Sequence, residues 1–139
     1  MNGYRFVRQQ EVVFRDLDAF GHVNHAGYVT YTESARLLYL SEVLGLESVE
    51  ELGFIVVHVS FDFRSPALWR EVLQVGTRTA RIGGKSIELE HEIRGPDGRL
   101  VAEARAVLVA FDQRRNATVP VLPEWRRRIE AYEMGSVAA

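Results

Sequence analysis

The spacing of apolar side chains switches between two and three-to-four along this chain, and each switch marks a structural element. Residues 4–15 hold Tyr4, Phe6, Val7, Val12, Val13 and Phe14 among charged neighbours, which predicts a first strand with an irregularity at Gln9-Gln10. Residues 25–45 contain no proline and carry Tyr28, Tyr31, Thr32, Ala35, Leu38 and Tyr39 at spacings of three and four, so a long helix with one buried face is expected. Gly45 supplies its stop. Leu37 and Leu40 fall off that stripe, so the helix should be covered on more than one side, as by a sheet wrapped around it. From Val57 the period becomes two: Val57, Val59, Phe61 and Phe63 form the expected buried face of a strand that stops at Ser65-Pro66. Residues 71–82 read as a third strand ending at Gly83-Gly84-Lys85. Ile87, Leu89, His91 and Ile93 then alternate with Glu88, Glu90, Glu92 and Arg94, giving a buried face, with His91 as a core histidine holding a partner, and a solvated acidic face. Pro96-Asp97-Gly98 turns the chain into a strand over 99–112, whose run Ala106 to Phe111 is apolar on both faces. Pro123 opens a short amphipathic helix with Trp125, Ile129 and Tyr132, and residues 135–139 should fray.

Length and composition narrow the function. A chain of 139 residues has the size of one domain, so residues 1–139 are read as a single unit. Seventeen basic against 19 acidic side chains leave a net charge of −2, which argues against a nucleic-acid or membrane partner bound by bulk charge. The absence of cysteine removes disulfides, thiolate nucleophiles and cysteine-based zinc sites. Neither a signal peptide nor a membrane span is readable, so a cytoplasmic location is expected.

The densest chemistry lies between the first strand and the long helix. Asp16, Asp18, His22, Asn24 and His25 crowd there beside Gly21 and Gly27, more than a simple connection needs. A carboxylate next to a helix start is a recognisable arrangement for acyl transfer, because the helix offers unpaired N–H groups and a positive dipole end to a developing oxyanion. Asp18 is the candidate base or nucleophile; an ordinary turn aspartate bonding its own backbone is the competing reading. Asp16, two residues earlier, would share its face if the strand reached that far. Asn24 is expected to cap the helix or brace the loop, and Glu33 and Arg36 to form an ion pair. No helical His-x3-His pair or other closed ligand spacing is present, so no metal site is expected.

The stretch Asp18-Ala19-Phe20-Gly21-His22-Val23-Asn24-His25-Ala26-Gly27-Tyr28, continued by Glu33 and Arg36, resembles the acyl-CoA thioesterase family typified by 4-hydroxybenzoyl-CoA thioesterase. The similarity runs on through Phe61-Asp62-Phe63-Arg64-Ser65-Pro66-Ala67 and Ile82-Gly83-Gly84-Lys85-Ser86. The resemblance implies an α+β hotdog fold, a curved antiparallel sheet of about five strands around one long central helix. It also implies hydrolysis of an acyl-CoA, with Asp18 as the catalytic carboxylate and a backbone N–H at or near His25 polarising the carbonyl. Tyr28 would meet the substrate, Gly84, Lys85 and Ser86 the phosphates of coenzyme A, and Asn24 and Glu33 would be supporting. Coenzyme A would enter as part of the substrate, with no separate cofactor, and the chain would self-associate as a dimer or tetramer. Acyl carrier protein in place of coenzyme A, or a non-catalytic acyl-thioester-binding module, are the alternatives. A hydratase of enoyl thioesters would need an Asp/His pair in a loop pattern this chain lacks.

Overall fold

A computed structural model describes residues 1–138. Among them six strands and two helices follow in the order β1 (Phe6–Glu11), α1 (His25–Leu44), β2 (Phe54–Phe63), β3 (Val72–Ile82), β4 (Ser86–Arg94), β5 (Leu100–Asp112), β6 (Ala117–Thr118) and α2 (Pro123–Tyr132). The strands pair antiparallel in the order β1-β3-β4-β5-β2, with β6 on β5, and the sheet wraps α1 as a hotdog fold.

The helix forms where the spacing predicts. Asn24 caps its start and Gly45, at φ 68, closes its end in the left-handed region that glycine tolerates. Its buried face runs Tyr28, Thr32, Ala35, Tyr39 and Val43, with Arg36, Leu40 and Leu44 beside it. Leu38, expected inside, is 46% exposed, because the face it shares is not the one the sheet covers. Ile87, Leu89 and Leu108 of the inner sheet face pack on Tyr39, Leu40 and Ile129, and Leu73, Val75 and Ile93 pack on Tyr28, Tyr31 and Ala35. Each such fully buried aliphatic side chain contributes about 1.5–3 kcal/mol.

The first strand is shorter than the 4–15 span expected. The chain leaves the sheet after Val12, whose N–H donates to the Glu71 carbonyl at 2.9 Å, and makes a 3-10 turn at Phe14–Asp16. The second strand starts earlier, at Phe54, and carries a bulge between Val56 and His58. Its expected buried face does not form within the chain: Val57, Val59 and Phe63 are 56%, 38% and 45% exposed, since β2 is the edge strand with no neighbour beyond it. The acidic face of β4 is not free in solvent either. Arg78 pairs with Glu90 at 2.7 Å, Arg94 with Glu92, and Arg105 with Glu88, forming a ladder of ion pairs across the outer face. Half-exposed pairs of this kind contribute little each, about 0–1 kcal/mol.

His91 is indeed in the core, with Nδ1 at 2.9 Å from Thr77 Oγ1, but its Nε2 has no partner among the described residues. Burial, helped by the Arg36 charge, pulls its pKa down to about 3, so the ring is neutral at ordinary pH. The expected Glu33–Arg36 ion pair is absent: Glu33 points to solvent while Arg36 is buried. At the other end of the chain, Glu133 accepts from Tyr39 Oη and from the Thr79 N–H at 3.0 Å. The segment after it, expected to fray, is docked as far as the described residues reach. Ala138 bonds the Ala80 carbonyl and the Ile82 N–H along the part of β3 that β1 leaves uncovered, and residue 139 lies outside the described residues.

Candidate active site

The loop between β1 and α1 is built by backbone bonds that give its two aspartates different tasks. Because the strand ends and a 3-10 turn intervenes, Asp16 and Asp18 do not share a face. Asp16 braces the loop against the helix: Oδ2 accepts from the Tyr31 hydroxyl at 2.7 Å, and its carbonyl accepts from the Asn24 N–H at 2.8 Å. Asp18 sits at the head of a tight turn. Its N–H donates to the His22 carbonyl at 2.7 Å, and its Oδ1 accepts from the N–H groups of Phe20 at 2.8 Å and His22 at 3.1 Å. Gly21, at φ 76, permits the reversal. The turn aspartate reading describes one of its two oxygens. One carboxylate oxygen is spent on the turn, and the other, Oδ2, has no hydrogen-bond partner among the described residues. The His22 N–H, seconded by that of Phe20, holds the Asp18 carboxyl below the usual carboxylate range, so the exposed group is charged at neutral pH.

The helix start that follows is equally specific. Asn24 Oδ1 accepts from the Gly27 N–H at 2.9 Å, while the N–H groups of His25 and Ala26 have no acceptor among the described residues. Twenty aligned residues lie behind them, so the dipole presents about half a positive charge here. Gly27 lets this turn lie against the loop, because a Cβ there would fall 2.7 Å from Val23 Cγ1. The His25 ring stacks on Phe63 at 4.7 Å and 14°, and the Val23 N–H donates to the Ala67 carbonyl at 3.0 Å, so the end of β2 and the helix start are held as one unit.

Together these pieces line an open cavity of about 290 Å³. Asp18, His22, Val23, His25 and Tyr28 line one side; Phe63, Arg64, Ser65 and Pro66 line the other. The two most specific stretches of the sequence thus meet around one space. Tyr28 is held in place there, its hydroxyl accepting from the Ala67 N–H at 3.1 Å. Gly84, Lys85 and Ser86 are not brought here. They form the β3–β4 turn at the far end of β3, about 30 Å away at ~3.3 Å per strand residue. There Gly84 accepts from the Val121 N–H, and Lys85 Nζ lies 3.4 Å from Thr118 Oγ1. Glu33 lines a separate cavity with Arg36. Sequence reasoning did not single out Phe63 or Arg64 as site residues; the signal was their position just before the Ser65-Pro66 stop, where a strand ends and its side chains reach a neighbouring loop. Among the described residues no three His, Asp or Glu side chains converge as a metal site.

Residues 12–129 match the model of the thioesterase-like superfamily. The chain belongs to this family. It is 29% identical over 117 residues to the long-chain acyl-CoA thioesterase FadM of Escherichia coli (strain K12), covering 82% of this chain and 89% of that one. It is 28% identical over 115 residues to the acyl-CoA thioester hydrolase YbgC of Escherichia coli O6:H1, covering 81% and 86%. Among solved structures, a thioesterase from Thermus thermophilus complexed with coenzyme A and Zn superposes with a TM-score of 0.89 at 33% identity, over 96% of this thioesterase-like chain and 98% of that one.

Proposed function

We propose that this thioesterase-like chain hydrolyses an acyl-CoA thioester to the free acid and coenzyme A, with Asp18 as general base or nucleophile and the N–H groups at His25 as the oxyanion hole. One observation carries the reading: Asp18, which keeps a carboxylate oxygen without a donor, and His25, whose N–H has no acceptor among the described residues, line a single cavity. The relatives' names support the substrate class. In the reaction the thioester oxygen takes the helix N–H bonds as negative charge develops on it, and the C–S bond breaks as oxygen adds to the carbonyl carbon. The departing thiolate, whose conjugate acid has a pKa of ~8.5, needs no strong general acid. One oxyanion donor is worth about 2.7–4 kcal/mol of barrier. The proton of the attacking water passes to Asp18 if it is a base; if it is a nucleophile, water later cleaves a mixed anhydride. The same reading runs the reaction in the cytoplasm and needs no cofactor beyond the coenzyme A that the substrate carries.

The test is a panel of acyl-CoAs with wild type and Asp18→Asn. Asparagine keeps an oxygen for Phe20 and His22 but removes the charge, so turnover should be abolished with melting temperature unchanged. A kcat within about tenfold of wild type, a barrier change of only ~1.4 kcal/mol, would reject Asp18. In single turnover in 18O-water, label in the Asp18 carboxyl identifies the nucleophile, since a base acquires none and water attack at the aspartyl carbon of a mixed anhydride puts it there.

The site is shared in this reading by two copies of the chain. The open edge of β2 exposes Ile55, Val56, Val57 and Val59, and an unpaired apolar edge favours a partner strand. In a two-fold dimer pairing β2 with β2 antiparallel, the Phe54 end of one copy lies beside the Phe63 end of the other. The Lys85 turn adjoins the Phe54 end through the Lys85 carbonyl and Ala110 N–H, so the partner's turn would approach the Asp18 cavity that this chain's own turn cannot reach.

A further inference from the structure

The two arms of the Asp18 turn are fastened to the rest of the chain in different ways. Leu17 and Val23 bridge antiparallel, so residues 16–24 double back as a small hairpin with Asp18 near its head. The returning arm runs straight into α1 and is joined to the β2–β3 loop by the Val23 N–H on the Ala67 carbonyl and by a bridge between His22 and Leu68. The outgoing arm carries Asp18. Among the described residues its one polar tie to the body of the helix is the Tyr31 hydroxyl, which donates to Asp16 Oδ2 at 2.7 Å. The same oxygen faces the Val13 N–H, so it reaches both ends of the 3-10 turn that brings the arm out of the sheet.

That hydroxyl is a fixed point. Tyr31 lies in the second turn of α1, is 3% exposed, and belongs to the core cluster of Val12, Ala35 and Leu73. Burial, joined by the Asp16 bond and charge, pushes the phenol well above its ordinary pKa, so the O–H stays a donor at every working pH. From Asp16 the connection continues: its carbonyl accepts from the Asn24 N–H at 2.8 Å, and Asn24 Oδ1 accepts from the Gly27 N–H at 2.9 Å. Tyr31, Asp16, Asn24 and Gly27 therefore close a circuit that starts and ends on α1. Asp18 follows Asp16 by two residues and His25 follows Asn24 by one, so the circuit links the carboxylate to the oxyanion donor. Packing bounds the same gap from the other direction, since Asp16 Cβ lies where a Cβ on Gly27 would come to 3.3 Å.

We propose that Tyr31, acting through Asp16, is a positioning residue for the reaction: its hydroxyl sets the separation between the Asp18 carboxylate and the N–H at His25. The proposal rests on the thioesterase reading, because the separation matters only where the two groups act on one carbonyl. Neither Tyr31 nor Asp16 lines the Asp18 cavity, so substrate binding should be indifferent to their bond and turnover sensitive to it. A carboxylate acceptor suits the task, since a hydrogen bond to a charged group is shorter and stronger than a neutral one. A bond that merely braced the loop would show in the melting temperature and leave kcat alone.

The full chain is assayed as wild type, Tyr31→Phe, Asp16→Asn, Asp16→Ala and the double variant Tyr31→Phe/Asp16→Ala. Phenylalanine keeps the buried ring and removes only the hydroxyl, so kcat on acyl-CoA should fall about 10–100-fold with KM unchanged, the scale of a displacement approaching 1 Å. Asparagine still offers Tyr31 an oxygen and should keep most of the turnover, whereas Asp16→Ala should lose as much as Tyr31→Phe. The double variant should lose no more than either single one, because the two side chains act as a unit. Hydrogen exchange at the Asn24 N–H, which needs no turnover, should quicken in Tyr31→Phe and Asp16→Ala and stay slow in Asp16→Asn. Asp16 is only half-buried, so Asp16→Ala carries the test should Tyr31→Phe not fold. A Tyr31→Phe variant that melts lower but keeps wild-type kcat would overturn the proposal. So would losses that multiply in the double variant, or a KM that rises while kcat holds. The two readings fail separately: a wild type without acyl-CoA turnover sinks the thioesterase reading, whereas full kcat in Tyr31→Phe of an enzyme that Asp18→Asn silences sinks the tether alone.

Discussion

Gly27→Ala sets two opposed effects against each other at the helix start. Alanine is favoured over glycine in a helix interior by about 1 kcal/mol, and on that ground alone the variant should be more stable. The new Cβ, however, would fall 2.7 Å from Val23 Cγ1 and 3.3 Å from Asp16 Cβ. Val23 is 4% exposed, β-branched and tied by its N–H to Ala67, so it cannot simply swing away. Overpacking of this kind costs about 1–3 kcal/mol, which outweighs the propensity gain at a position so near the helix end. A net loss of about 1–2 kcal/mol corresponds to a melting temperature lower by about 2–8 °C at this chain length. Catalysis should suffer more than stability. Restoring an ordinary contact of 3.4 Å requires a relative shift of about 0.7 Å between loop and helix, and displacements near 1 Å can cost ~100-fold in rate. Thermal melts by circular dichroism and kcat on the best acyl-CoA give both numbers. A variant that melts higher and turns over like wild type would show that the His25 N–H groups are not held against Asp18 by this contact.

Further outcomes follow from the same geometry. Lys85→Ala should raise KM for full acyl-CoA more than for truncated pantetheine thioesters, which lack the nucleotide phosphates; equal losses would remove Lys85 from the ligand contacts. Val57→Lys or Val59→Lys on the open edge of β2 should convert a dimer seen by sedimentation into monomer and abolish turnover, whereas an active wild-type monomer would refute the shared site. The acid limb of kcat/KM should lie below the ordinary aspartate value of ~3.9, because the His22 and Phe20 N–H bonds favour the charged Asp18 and the proposed mechanism needs that form. A limb near pH 6 in chain still folded at that pH would assign the essential group to a histidine.

Much of the fold was legible because its central pieces obey local rules. The caps Asn24 and Gly45 bound α1, and β3, β4 and β5 fall within a residue of the spans that period two and the turns at Gly83-Gly84 and Pro96-Asp97-Gly98 mark out. What local pattern could not show is what lies beyond an edge. Val57, Val59 and Phe63 have the alternation of a buried face, yet β2 has no neighbour in the chain to bury them, and a bulge resets the alternation after Val56. Asp16 and Asp18 look alike in sequence, and only the 3-10 turn between Val13 and Leu17 sends one to Tyr31 and leaves the other at the cavity. The spacing of Glu33 and Arg36 allows an ion pair, but the sheet draws the arginine inward and leaves the glutamate in water.

The uncovered end of β3 has a consequence during synthesis. From Thr79 to Ile82 that strand has no partner in β1 and is completed instead by the segment at Ala138, anchored by Glu133. A ribosome makes β3, β4 and β5 before it makes Ala138, so until the tail arrives a stretch of backbone donors and acceptors stands open to any passing strand. This stretch of β3 is open to mispairing in the window between emergence of β5 and docking of the tail, and lengthening that window would shift the yield from folded chain towards aggregate.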